Sequence, residues 1–202
     1  MTVGRLWLVR HAQPLIAPGI CYGALNVPAD AAATAHSAQR LAAALPQRLH
    51  VHHSPLQRCE LLAHALIGLR PDLALNTAPD LVEFDFGRWE GRAWDGIPRA
   101  EIDAWTADFA HYRPGGGDHL AAMLGRVSNA LDAAQQECAQ GMDVLWITHA
   151  GVARCVQWLL HAAPGQMPRA DEGPRSAPGY GEWVSFDYSS LPPPMPSSMS
   201  SA

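Results

Sequence analysis

Short apolar runs that break off into charged or imidazole side chains punctuate this chain. Leu6-Trp7-Leu8-Val9 leads straight into Arg10-His11-Ala12, and Val144-Leu145-Trp146-Ile147-Thr148 into His149-Ala150-Gly151. Each run has the length of a buried strand. The pattern predicts strands at Arg5–Val9, Leu49–His53, Leu73–Asn76, Met142–Thr148 and Trp183–Tyr188. Helical spacing fills the stretches between them. Asp30 to Leu45 is alanine-rich, with Leu41 and Leu45 four apart. A second helix is expected to open with Ser54 as N-cap and Pro55 at its first position, running through Leu61, Leu62, Ala65 and Leu66 to Gly68. Asp118 to Cys138 repeats Leu120, Leu124, Val127 and Leu131 near a 3.6-residue period, and Gly151 to Leu160 follows the second strand–histidine junction. Alternating strands and helices predict an α/β fold, a three-layer αβα sandwich whose mainly parallel sheet has helices on both faces.

Two stretches break the alternation. Leu81 to Gly117 is rich in Trp, Gly and charge and reads as an irregular excursion or lid. Residues 163–181, dense in Pro and Gly, read as a loop. The Pro/Ser-rich tail Leu191 to Ala202 is expected to be disordered. The resulting organisation is a single domain over 1–190, its excursion at about 81–117, and a tail over 191–202.

Composition narrows the function classes. A chain of 202 residues buries roughly 70% of its unfolded surface, so its core needs no disulfide staples. A net charge of −5 argues against a nucleic-acid groove or a polybasic membrane surface. The 14 Lys+Arg residues are all arginine, the side chain suited to bidentate phosphate recognition. Cys21, Cys59, Cys138 and Cys155 are scattered without a Cys-x-x-Cys pair, as core thiols of a reducing compartment would be. The first strand begins almost at once, leaving no room for a signal peptide, and no apolar run approaches the ~20 residues of a membrane span. The expectation is a cytoplasmic protein. A homodimer is kept as an expectation, although the sequence does not fix oligomeric state.

Four places carry candidate chemistry. His11, at a strand end beside Arg10, is a nucleophile, general base or ligand, and the adjacent guanidinium favours its neutral ring. His149 precedes a helix whose N–H groups and partial positive charge point to the same sheet edge. Arg58 sits in the first turn of the second helix, within reach of the strand ends. Glu83 lies in an apolar and aromatic setting that would raise its pKa, with Asp85 and Glu90 as competitors that the residues alone leave open. Each place also has a structural reading: a strand-end histidine satisfying backbone groups, a solvated arginine, a carboxylate fixing a turn. Together, two arginines, two histidines and a protonatable carboxylate make up the parts for phosphoryl transfer through a phosphohistidine without a metal. His52 and His53 end a strand, a metal role for them being disfavoured. His36, His50, His64 and His161 have no partner pattern, and Trp89, Trp94 and Trp105 suit packing of the excursion better than substrate stacking.

These residues resemble the histidine phosphatase superfamily, with its phosphoglycerate-mutase-like fold. Arg10-His11 is similar to its Arg-His-Gly motif and Ser54-Pro55-Leu56-Gln57-Arg58 to its Ser-Pro-Leu-x-Arg block. Glu83 through Gly91 is similar to Glu-x-x-Phe-Gly-x-Trp-Glu-Gly, and Ile147 through Gly151 to the second histidine motif. The four blocks stand in family order. The resemblance implies His11 as nucleophile, Glu83 as proton donor, and Arg10, Arg58 and His149 as phosphate-binding groups, with no cofactor or metal and a small phosphate ester as partner. Pro18 through Gly23 is similar to bacterial α-ribazole phosphatases, making α-ribazole phosphate a candidate substrate. A cofactor-dependent phosphoglycerate mutase and a non-catalytic phospho-ligand binding module are the rivals. Ala12 and Ala150 replace family glycines, and Asp118-His119 stands where a Gly-Glu-Ser substrate loop has Glu-Ser.

Overall fold

Period-two alternation in the central strands dictates what covers the sheet. The computed structural model describes residues 3–163 and 165–187. Its strands are β1 (Arg5–Arg10), β2 (Leu49–His53), β3 (Leu75–Thr77), β4 (Asp143–Thr148) and β5 (Trp183–Asp187). Its α-helices are α1 (Ala31–Ala44), α2 (Gln57–Leu69), α3 (Arg99–Ala107), α4 (Leu120–Ala139) and α5 (Ala150–His161). Leu6 and Leu8 of β1, with Val144 and Trp146 of β4, pack into a cluster with α4 and α5. Their alternates Val9, Leu145 and Ile147 pack with Ala38 and Leu41 of α1 and Cys59, Leu62 and Leu66 of α2. Helices therefore lie on both faces, as the alternation predicts.

The strand order is β3-β2-β4-β1-β5, with β5 antiparallel to β1 and the other pairs parallel. From β1 the chain leaves over the α1 and α2 face; from the adjacent β4 it leaves over the face that carries α5. This divergence is a topological switch point, where open α/β sheets form their ligand crevice beyond the strand C-termini. Both strand–histidine junctions end there.

Several expected boundaries shift for local reasons. α1 is capped by Asp30, whose carboxylate accepts the Ala33 N–H. α2 starts at Gln57, not Pro55, because Leu56 stays extended (ψ 135°); Ser54 Oγ accepts the Leu56 N–H at 3.3 Å just before the helix. β3 starts at Leu75, because Leu73 N–H still donates to Arg70 O in the turn after α2. α4 starts at Leu120, capped by the His119 ring. The excursion is more regular than expected: besides single 3-10 turns it contains α3, whose residues are half-buried or exposed throughout. Trp89 is fully buried there and donates its indole N–H to Glu101. Two turns of this segment cross where Gly87 (φ 53°) and Gly115 (φ 62°) touch backbone to backbone. A Cβ on either would strike the other strand of chain. Tyr188 and the tail lie outside the described residues. Among the described residues, no helix is long and apolar enough to cross a membrane. All four cysteines are free and buried.

Candidate active site

Parallel register sets Arg10 opposite Thr148, and the His11 N–H donates to Thr148 O at 2.9 Å. The next residue on each strand is thus a histidine at the same sheet edge, and the ring centroids of His11 and His149 lie 5.2 Å apart. His11 Nδ1 is 2.7 Å from Ala12 O. A carbonyl only accepts, so Nδ1 carries the proton and Nε2 keeps its lone pair. Burial, then the Arg58 guanidinium and, more weakly, Arg10 lower the His11 pKa to about 3, against the upward pull of Ala12 O. The ring is neutral at physiological pH. His149 is fully buried, and burial, Arg58 and His11 depress its pKa as well. Its Nε2 shares a 2.8 Å hydrogen bond with Ser54 Oγ, which also accepts the Leu56 N–H at 3.3 Å.

Arg10 ends β1 and Arg58 occupies the first turn of α2. Arg58 is completely buried, donating to Leu25 O at 2.8 Å and to Gly23 O. Arg10 donates to Pro178 O at 3.2 Å and stacks on Tyr180, its Cζ 3.8 Å from the ring centroid. The Nε atoms of these two arginines are, among the described residues, the only buried side-chain nitrogens or oxygens without a partner. An unmet buried donor on a charged group costs about 1–3 kcal/mol or more, which an anion accepting from both would remove.

Glu83 is reached from the other side. Thr148 Oγ1 donates to Leu81 O at 2.8 Å, and Arg126 of α4 donates to Asp80 O (2.8 Å), Val82 O (2.6 Å) and Glu83 O (3.4 Å). This backbone lacing places the Glu83 carboxylate at the start of α5, where it accepts the Gly151 N–H at 2.9 Å and its neighbour Phe84 N–H at 2.9 Å. The setting expected to be apolar is polar at the carboxylate. The α5 N–H expected to face an anion goes to Glu83 instead. Asp85 caps the local turn at Gly87 N, and Glu90 accepts from Ala24 N and Phe86 N, fixing the loop. Of the three carboxylates, the one against the start of α5 is Glu83.

Sequence reasoning missed three residues here. Tyr180 packs on His11 (5.5 Å between centroids) and hydrogen-bonds Tyr22 at 2.8 Å, while Tyr22 lies against Arg58. The only signal for Tyr180 was an aromatic flanked by glycines in a loop, and nothing local pairs it with Tyr22. Arg126 was one polar position on an amphipathic helix. His50, read as partnerless, contacts Glu137, which also bonds His52 at 3.1 Å. His53 is buried, its Nδ1–H donating to Ser54 O. Ala12 and Ala150 sit without strain, since no described non-glycine residue has positive φ.

The buried ring has a thermodynamic signature. The folded chain refuses a proton at His11 down to about pH 3, whereas an unfolded histidine accepts one near 6.5. Below 6.5 the unfolded state binds more protons, so unfolding free energy falls with pH, by about 1.4 kcal/mol per unit for each excluded proton. Urea unfolding at pH 7 and pH 5 is expected to show this loss, and His11→Asn to make it shallower. An unchanged slope in the variant would mean that the folded protein does protonate His11.

Known proteins share both sequence and fold with this chain. The family model "Histidine phosphatase superfamily (branch 1)" matches residues 6–175. The chain is 35% identical over 147 residues to the uncharacterised protein MT0547 of Mycobacterium tuberculosis, covering 70% of this chain and 71% of the relative. It is 28% identical to a phosphoglycerate mutase of Thermus thermophilus, with TM-score 0.65 over 91% of this chain and 92% of that one. A protein of Escherichia coli K-12 assigned as an α-ribazole-5′-P phosphatase shares the fold at TM-score 0.73, with 24% identity over 91% and 89% of the two chains.

Proposed function

We propose that this chain, which belongs to branch 1 of the histidine phosphatase superfamily, is a metal-independent phosphomonoesterase acting on a small phosphate ester through a phosphohistidine. The observation that carries the reading is the pair of orphaned Nε–H donors on Arg10 and Arg58, beside an imidazole whose free Nε2 is its nucleophilic atom. A phosphoryl group bound there accepts from both guanidiniums, and its charge is met without a cation. His11 Nε2 attacks phosphorus, forming the N–P bond as the ester P–O bond breaks, and Glu83 gives its proton to the departing oxygen. The two N–H bonds to Glu83 leave lone pairs free on its oxygens for that proton. The phosphorylated ring becomes cationic with Nδ1–H still donating to Ala12 O, a bond that strengthens with the charge. Water then attacks phosphorus, Glu83 takes its proton, and the N–P bond breaks to restore His11. His149 completes the phosphate pocket. Arg126, spent on three carbonyls, offers no second clamp, which favours hydrolysis over a mutase that must retain a bisphosphate.

Release of inorganic phosphate from p-nitrophenyl phosphate at mildly acidic pH in EDTA tests this. Turnover undiminished by chelation is expected; a folded protein that releases none, or one silenced by EDTA, overturns it. Conversion of 3- to 2-phosphoglycerate in a coupled assay would favour the mutase instead. Among natural esters, α-ribazole phosphate is the candidate to assay first.

Gly151→Ala probes the carboxylate without touching it. A Cβ at Gly151 lands on the Glu83 carboxyl group, which is the movable end of a side chain. The expected result is a displaced carboxyl, about a 10²-fold loss of kcat/KM on alkyl phosphates, and a stability loss of about 1–3 kcal/mol as the Phe84 and Gly151 N–H groups lose their acceptor. Retention of full activity would place the working acid elsewhere.

A further inference from the structure

A cavity of about 200 Å³ has none of Arg10, His11, Arg58, Glu83 or His149 in its walls, but it reaches the residues that anchor Glu83. The excursion supplies Phe84, Phe86, Trp105 and Phe109 to it, α4 supplies Leu120 and α5 supplies Trp158. Phe84 and Gly151, whose N–H groups hold the Glu83 carboxylate, also border it. The anchor points of the carboxylate are thus shared with an aromatic chamber. Resting on the phosphatase reading, we infer that this chamber receives the alcohol portion of the substrate and that this portion carries an aromatic ring.

The direction follows from the chemistry. The acid must touch the departing oxygen, so the carbon attached to that oxygen extends past Glu83, and the cavity that shares Phe84 and Gly151 with the carboxylate is the space assigned to it. Its walls favour a flat apolar group: the Phe84 and Phe86 rings lie 4.8 Å apart, and Trp105 and Phe109 5.5 Å apart, spacings that a further ring can join. Burial pushes the Cys155 thiol on the wall up to about 12, so it presents no charge, and the guanidinium of Arg154 is the one charged group among the described walls. Size agrees as well, since an apolar cavity of roughly 150 Å³ accommodates benzene. Trp158 donates its indole N–H outward to Gln166 O, leaving the ring itself as cavity surface.

The test compares 2-phenylethyl phosphate with ethyl phosphate, two alkyl esters that differ in the ring. The wild-type chain is expected to prefer the phenylethyl ester in kcat/KM by at least about 10-fold. Leu120→Trp, which fills the chamber, and Phe109→Ala, which removes one of its rings, are each expected to bring that ratio toward one, with thermal melts reporting folding. A wild-type ratio near one, or a preference that survives in both variants, overturns the inference while leaving the phosphatase reading intact. Hydrolysis of neither ester overturns the inference, and overturns the phosphatase reading as well if p-nitrophenyl phosphate is also left intact.

Discussion

His11→Asn is expected to lower kcat/KM for p-nitrophenyl phosphate by a factor on the order of 10⁶, the loss seen when a covalent nucleophile is removed. Asparagine suits the test because its amide N–H2 can still donate to Ala12 O, the one hydrogen bond that the His11 ring makes among the described residues. The atom lost is Nε2. The variant also removes a ring whose protonation the site resists, so it is expected to be no less stable at acidic pH than the parent. Rapid acid quench of the wild-type protein with a labelled phosphate ester should trap a phosphate that survives alkali and is lost in acid. His11→Asn should trap none. A variant with residual activity within tenfold of the parent would sink the covalent role for His11, whatever its folding.

Arg58 follows the same logic at smaller amplitude. Its burial draws its pKa down, while its carbonyl bonds fix two of its nitrogens and leave Nε without a partner. Lysine cannot reproduce that geometry, because an ammonium has no rigid fork that meets two carbonyls and an anion together.

How much of this was written in the sequence differs from element to element. The sheet was legible because β1 and β4 alternate between two separate cores, and a one-residue slip would swap Leu6 and Leu8 into the cluster of Val9. The convergence of His11 and His149 followed once the two strands were neighbours, which the apolar runs suggested but did not require. The start of α2 was misread because Leu56 keeps an extended backbone (ψ 135°), so the N–H that Ser54 Oγ accepts lies before the first helical turn, while a distant histidine shares the same hydroxyl. α3 left no strong trace, since none of its residues is buried and its Ile102 and Trp105 meet only a local aromatic cluster. The choice among Glu83, Asp85 and Glu90 depends on where the chain crosses the start of α5. That crossing is set by Arg126 and Thr148 bonds to backbone carbonyls, and carbonyls carry no sequence signature. The Tyr22–Tyr180 contact and the aromatic chamber are likewise products of tertiary closure.

Glu83→Gln separates two steps of the cycle and therefore says more than a loss of rate. For an alkyl phosphate the alkoxide cannot leave without a proton, and the expected fall in kcat/KM is about 10²–10⁴-fold. For p-nitrophenyl phosphate the nitrophenolate departs unprotonated, so phosphorylation of His11 should be nearly spared. Hydrolysis of the phosphohistidine still needs a base for water, and the glutamine amide cannot serve. The variant should then release a burst of nitrophenolate equal to the enzyme present and accumulate the alkali-stable phosphoenzyme. Glutamine offers one carbonyl to the N–H groups of Phe84 and Gly151 where the carboxylate offered two oxygens. A stability loss of about 1–3 kcal/mol is therefore expected in parallel and is read separately by urea unfolding. A residue that merely held the loop in place would slow both esters alike and give no burst. Equal losses on the two esters, with no trapped phosphate, would remove Glu83 from the proton transfers and leave it as an anchor for the start of α5.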